Sequence, residues 1–217
     1  MSARGEGGRR LLLHVCCGPC SIMPTRRLQD EGFEITAWYH NPNIQPLTEY
    51  LRRRDAVLEC AARAGIAVVC DDAAWNLTAW LRAVRDRDTP PQRCDYCCRS
   101  RVAAAYAYAA AHGYDAFSTS LLYSRYQPHE AIAAEGARLS GQDLPAVPGA
   151  PRAVPGPQFI YRDFREDWQA GIDISREWGV YRQPYCGCVY SEAERYARKL
   201  ARLIDAAPAS PAETVVR

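Results

Sequence analysis

No apolar run in this 217-residue chain approaches the roughly 18–20 residues that span a bilayer, although 48% of the residues are hydrophobic. The apolar residues come in short stretches, which fits an ordinary globular core and excludes disordered and fibrous classes. Leu11–Leu13 behind Arg9 and Arg10 is too short for the apolar part of an export signal, and His14 interrupts it. It reads as a strand, so the expected protein is cytoplasmic and has no membrane partner. Lysine is almost missing: Lys199 is the only one. Arginine forks suit phosphate better than lysine does, but codon usage would give the same excess. The net charge of +2 is too small to announce nucleic-acid binding by itself.

Cysteine is abundant instead. Ten are present, and eight of them fall in three tight groups: Cys16-Cys17-x-x-Cys20, Cys94-x-x-Cys97-Cys98 and Cys186-x-Cys188. Cys60 and Cys70 stand alone. Structural disulfides join distant segments and have no need of adjacent pairs. In a reducing compartment such grouping points to metal binding or redox catalysis.

Apolar patterning and turn residues predict alternating strands and helices. Strands are expected at Arg10–Cys16, Phe33–Tyr39, Ile66–Cys70, Ala116–Leu122 and briefly Phe159–Arg162. Helices are expected at Ser21–Gln29, Leu47–Ala64, Leu77–Arg87 with Asn76 as N-cap, Cys94–His112 closed by Gly113, His129–Leu139, Trp168–Trp178 and Ser191–Ile204. The fold class is therefore α/β, a parallel sheet flanked by helices with a helical C-terminal part. We expect one catalytic domain over 1–205, a flexible Pro/Gly-rich loop at 142–158, and disorder over about 1–8 and in the tail, 206–217. Sites in such sheets form beyond the carboxyl ends of strands, where the first cysteine group falls.

Each group has its own logic. Gly18 and Pro19 are expected to make a sharp turn after the first strand, with Pro19 opening a helix whose amides favour thiolates. Cys94-x-x-Cys97 at a helix start can hold zinc, hold an iron–sulfur cluster or exchange disulfides. Cys16, Cys17, Cys94 and Cys97 together supply four sulfurs, which suits zinc or an iron–sulfur cluster. Cys186 and Cys188, one glycine apart, can close a small strained disulfide, add ligands, or be inert thiols. Asn41 and Asn43 lie in a polar loop that could line a pocket or simply turn the chain. Ser118, Ser120, Tyr123, Arg125, Tyr126 and His129 could bind a nucleoside and its phosphate, or cap helices. Tyr161–Arg165 mixes aromatics with arginines and could touch RNA or open a solvated helix.

The segments HVCCGPCS, YHNPNIQP-x-x-EY, RCDYC, FSTSLLYSRYQ-x-H, YRDFR and YRQPYCGCVYSE, in this order, resemble the epoxyqueuosine reductase QueH family. The stretch Gln142–Gln158 looks like an insertion relative to that pattern. The resemblance implies a HUP, adenine-nucleotide-hydrolase-like fold, a [4Fe-4S] cluster and no cobalamin. It implies reduction of the epoxide of epoxyqueuosine at the tRNA wobble position to an alkene, with loss of water. By motif position Cys16, Cys17, Cys94 and Cys97 would be cluster ligands, and Cys186 and Cys188 a redox-active disulfide. A second, mononuclear iron is also implied, with Cys20 standing where other members carry Asp. The partners would be tRNA bearing epoxyqueuosine in the anticodon and an electron donor that the sequence does not identify. The proton donor would be His14, His129 or Tyr126, and Arg99 and Arg125 would bind anticodon phosphates. Two other functions compete: a zinc-containing thiol–disulfide oxidoreductase, and a non-catalytic zinc-stabilised RNA-binding module.

Overall fold

A computed structural model of the chain describes residues 8–141 and 156–206. The expected disordered start, residues 142–155 of the loop and the tail beyond 206 lie outside the described residues. Five strands form one parallel sheet: β1 (Arg9–His14), β2 (Phe33–Tyr39), β3 (Ala67–Cys70), β4 (Ala116–Thr119) and β5 (Gln158–Phe159), in the order β3-β2-β1-β4-β5. The helices are α1 (Gly18–Asp30), α2 (Leu47–Ala64), α3 (Leu77–Val84), α4 (Gln92–Ala111), α5 (His129–Leu139), α6 (Trp168–Glu177) and α7 (Val189–Asp205). Among the described residues, no helix is long and apolar enough to cross a membrane.

β1 lies at the centre because its run of apolar residues suits burial on both faces. Successive strand residues point to opposite faces, and Leu11, Leu12 and Leu13 are all fully buried. Helices therefore cover both sides of the sheet. Burying each leucine contributes roughly 2 kcal/mol. The chain order reverses between β1 and β4, which leaves a crevice beyond their carboxyl ends. His14, the last residue of β1, pairs in register with Trp38 on one side and Thr119 on the other.

Boundaries differ from the sequence expectation where side chains cap or pack. β4 stops at Thr119, and Ser120–Tyr123 curls into a 3-10 turn because the Thr119 hydroxyl accepts the Leu121 N–H at 3.2 Å. The last strand is Gln158–Phe159, shifted to the start of the predicted span. Asn76 caps α3 as expected, its Oδ1 accepting from the Ala79 N–H at 2.9 Å. Gly113 ends α4 with φ +68°.

Gly18 plays a different part from the one its sequence position predicts. It is a helical residue of α1, three residues before the predicted start, and its φ is not positive. Its smallness is needed for packing, since a Cβ there would lie 2.5 Å from the backbone oxygen of Ala56 in α2. Backbone cannot swing aside as a side chain can. Gly18→Ala is therefore expected to destabilise the fold by about 1–3 kcal/mol, read as a lowered urea midpoint with an unchanged m-value. An unchanged midpoint would contradict this close packing.

Candidate metal centre and adjoining cavities

The first cysteine group occupies the crevice at the centre of the sheet. Cys17 is the N-cap of α1 and Cys20 lies in its first turn. The Sγ atoms of Cys16, Cys17 and Cys20 all lie within 4.8 Å of one another, the only such group of three potential metal ligands among the described residues. Ser120, just beyond β4, accepts the Cys16 N–H at 3.1 Å, and its hydroxyl lies 3.5 Å from the Cys16 sulfur. Gln183 Nε2 donates to the Cys17 sulfur at 2.9 Å. Hydrogen bonds from Cys17 and Cys20 hold Cys16 well below the ordinary thiol range, despite burial. Burial pushes Cys17 up, and the hydrogen bonds with Cys16 push Cys20 up. Of the three thiols, Cys16 is the one whose ionised form its neighbours favour.

The second and third groups meet next to it. Cys94, Cys97, Cys98, Cys186 and Cys188 line one cavity of about 190 Å³. Burial drives Cys97 up, and Cys98 up to about 12, while the charge of Arg101 opposes both shifts. Arg101 is itself buried; its Nε donates to the Cys97 carbonyl at 3.1 Å and its Nη2 reaches the Cys98 sulfur at 3.8 Å. Gln127 spans the cavity wall, accepting from the Cys98 thiol at 3.2 Å and donating to the Cys186 sulfur at 3.4 Å.

A buried ion pair fixes the third group in place. Arg53 and Glu49 pair at 2.7 Å on α2, and the Arg53 side chain is only 1% exposed. Its Nη1 donates to the Cys186 carbonyl at 2.7 Å and its Nη2 to the Tyr185 carbonyl at 3.1 Å. The Gln45 N–H donates to the Gly187 carbonyl at 2.9 Å. Gly187 has φ +136°, and a Cβ there would meet Arg53 and Ile44 at 3.0 Å, so only glycine fits. Cys186 is exposed, whereas Cys188 is buried and its sulfur accepts the Ser191 N–H as N-cap of α7.

A larger cavity of about 550 Å³ opens beside these groups. Cys16, Cys20 and Cys186 line it, together with Tyr123, Tyr126, Trp168, Arg182, Gln183 and Arg195. Cys186, Tyr126, Gln127, Ser191 and Glu194 border both cavities.

The remaining predicted site residues divide in two. Tyr123 lines the larger cavity, with its hydroxyl bonded to the Trp168 carbonyl at 2.7 Å, and Tyr126 is 84% exposed at the junction of both. Ser120 contacts Cys16, and Asn43 lines the smaller cavity with a buried Oδ1 that has no partner among the described residues. Arg125 is exposed, stacks over the Trp168 ring at 5.5 Å and lines neither cavity. Three others serve the scaffold. Asn41 donates to the Val15 carbonyl at 2.9 Å, Ser118 to the Ile160 carbonyl at 2.8 Å, and His129 Nε2 bonds the Leu122 carbonyl at 2.9 Å. None of these three lines either cavity. Arg99 is held by Asp95 and Glu135, away from both cavities. Arg53, Arg101, Trp168 and Glu194 carried no sequence signal that set them apart from their neighbours, and Gln183 was marked only as part of the motif around Cys186.

The donor set fits a thiophilic metal. Three sulfurs converge, five more cysteines lie in the next cavity, and sulfur ligands select zinc, copper(I) or iron–sulfur centres over hard cations. The description "Epoxyqueuosine reductase QueH" matches residues 11–194 of this chain. The chain belongs to the QueH family. It is similar to the epoxyqueuosine reductase QueH of Dehalococcoides mccartyi, at 31% identity over 87% of this chain and 96% of the relative. It is also similar to that of Haemophilus influenzae, at 33% identity over 86% of this chain and 73% of the relative. In fold it resembles the U34-tRNA thiolase NcsA of Methanococcus maripaludis, solved with its [4Fe-4S] cluster. That likeness has TM-score 0.54 at 12% identity and covers 97% of this chain and 77% of the thiolase. The parallel α/β fold with flanking helices that the sequence predicts is the one observed.

In this QueH-family chain the Glu49–Arg53 pair holds the Cys186 segment, so breaking it has a calculable effect. Arg53→Met strands Glu49 in the interior and should cost about 3 kcal/mol. The double variant Arg53→Met with Glu49→Leu should cost less than the sum of the single changes. Chemical unfolding of the four proteins measures this, and additive effects would contradict the pairing.

Proposed function

We propose that this chain is an epoxyqueuosine reductase that acts on the modified wobble nucleoside of tRNA. The observation that carries this reading is the meeting of all three cysteine groups around two adjoining cavities at the carboxyl edge of the sheet. The overall change is epoxide plus two electrons and two protons to alkene plus water. In this reading Cys16, Cys17, Cys94 and Cys97 hold a [4Fe-4S] cluster. Cys20, as close to Cys16 and Cys17 as a shared ion requires, holds a second iron. When bound, such a centre supplies single electrons and, at an open iron, Lewis acidity toward the epoxide oxygen.

The chain's own residues do the rest. Cys186 and Cys188 are a dithiol whose closure to a disulfide releases two electrons and two protons, which matches the reaction; an external reductant of unidentified kind then reopens it. Exposed Cys186 borders the larger cavity with its backbone fixed by Arg53. Tyr126 remains the candidate proton donor. His14 is unsuited, because burial and then the Arg101 charge lower it to about 3 and both of its ring nitrogens are engaged within the fold. His129 lines neither cavity and spends Nε2 on the Leu122 carbonyl. Tyr126 and Trp168 offer faces for an unstacked base, while Arg182 and Arg195 offer charge to the anticodon backbone. Family membership leaves the zinc oxidoreductase and RNA-binding alternatives without support of their own.

Anaerobically reconstituted protein with dithionite and epoxyqueuosine-containing tRNA should yield queuosine, detected by mass spectrometry of the digested nucleosides. Cys16→Ser should lose both iron and turnover. Cys186→Ser should keep the visible iron–sulfur absorption but turn over at least tenfold more slowly. Absence of queuosine from the loaded wild-type protein would sink the proposal. Loss of the absorption in Cys186→Ser would instead make Cys186 a ligand.

A further inference from the structure

We propose that Glu194 is the specificity-determining residue that binds the cationic amine of the substrate. This rests on the reading above and extends it to a named contact. Epoxyqueuosine joins its deazaguanine to the epoxide-bearing ring through a secondary amine, bonded to the ring carbon next to the epoxide. An aliphatic amine of this kind is protonated at neutral pH, as lysine is. A site for this nucleoside must therefore place a positive charge close to the reacting bond.

The cavity walls are otherwise unsuited to that charge. Arg53, Arg182 and Arg195 line the larger cavity, and Arg93 and Arg101 the smaller. Such walls favour phosphate and repel an ammonium. Glu194 is the one carboxylate that lines either cavity among the described residues, and it lines both, beside Cys186. It lies in the second turn of α7. Its Oε1 accepts from Arg93 Nη2 at 2.7 Å, and Arg93 is buried, so the carboxylate is anchored from behind. Its side chain is 53% exposed, and Oε2 has no partner among the described residues. An anchored carboxylate with a free oxygen at the junction of the two cavities is the complement of a substrate ammonium. Its contact would bring the neighbouring epoxide to the cysteine side.

The arrangement has a structural explanation as well, a link between α4 and α7, but that link gives Oε2 no task. The two roles separate in Glu194→Gln, which keeps an amide oxygen to accept from Arg93 but removes the charge. The experiment compares binding of two tRNAs of one sequence, with queuosine or with guanosine at the wobble position. The product carries the same amine and does not turn over. Wild-type protein should bind the queuosine tRNA roughly 10- to 100-fold more tightly, the range of one charge-assisted hydrogen bond. Glu194→Gln should lose this preference while binding the guanosine tRNA and melting as the wild type does, and Glu194→Asp should restore part of it. A preference unchanged in Glu194→Gln overturns the proposal and leaves the reductase reading intact. A wild-type protein that forms queuosine without any such preference overturns it too. A wild-type protein that shows neither overturns the reductase reading itself.

Discussion

The structure depends on holding sulfur near the positive ends of three helices. Cys17 stands at the N-cap position of α1, Cys94 lies in the first turn of α4, and the Cys188 sulfur caps α7. A helix N-terminus leaves amide N–H groups unpaired and favours an anion by about 0.3–1 kcal/mol. Burial works against this: it drives Cys17 and Cys97 far above the ordinary thiol range. The dipoles alone cannot ionise these sulfurs. Arg101 adds a buried positive charge, and a bound metal cation would supply what is still lacking. The protein thus presents thiols in an arrangement that is costly to ionise when empty and favourable once a cation is present.

Fold and chemistry share the same contacts. The Arg53 guanidinium links α2 to the Cys186 backbone, and Gln45 links the loop after β2 to Gly187. The segment that carries the third cysteine group is therefore fastened to α2 and to the loop after β2, although more than 130 residues separate Arg53 from Cys186. A flexible tether would meet the distance requirement but leave the sulfur free to wander. The fixed backbone and exposed sulfur of Cys186 leave only its side chain to adjust. Gly187 makes this possible, since no other residue fits its conformation against Arg53 and Ile44.

Residues 11–13, the phases of β2 and α2, and the three cysteine groups were readable because local chemistry decides them. An apolar run between turn residues can bury both faces of a strand. Clustered thiols in a reducing compartment call for a metal or redox role. The positions of Asn41, Ser118 and His129 were not readable in this way. Each sits within a suggestive motif, yet each spends its hydrogen bond on a backbone carbonyl, supplied by a distant segment for Asn41 and Ser118 and by the preceding turn for His129. Trp168 and Glu194 were invisible for the opposite reason, since nothing local marks them and only the packing of α6 and α7 brings them to the cavities, while Gln183 stood inside the motif around Cys186 without a sign of its role. Gly18 shows that a motif can be read correctly and its mechanism missed. A glycine between a cysteine pair and a proline reads as a turn residue, but its constraint comes from α2.

The two cavities share one cysteine, and this bears on how a two-electron reduction could proceed. Iron–sulfur centres pass electrons singly, whereas the proposed epoxide opening needs a pair together with two protons. A dithiol carries both in matched number. Cys186 borders the larger cavity, the proposed nucleoside site, and also the cavity shared with Cys94, Cys97 and Cys188. In the proposed mechanism its location would let a single sulfur face substrate, metal ligands and Cys188 without moving the backbone. The arginine-lined walls favour the anionic nucleic acid, while the buried thiols favour the metal. Between them, a site for the proposed nucleoside would require one local reversal of sign to admit its positively charged part, and Glu194 stands at that boundary.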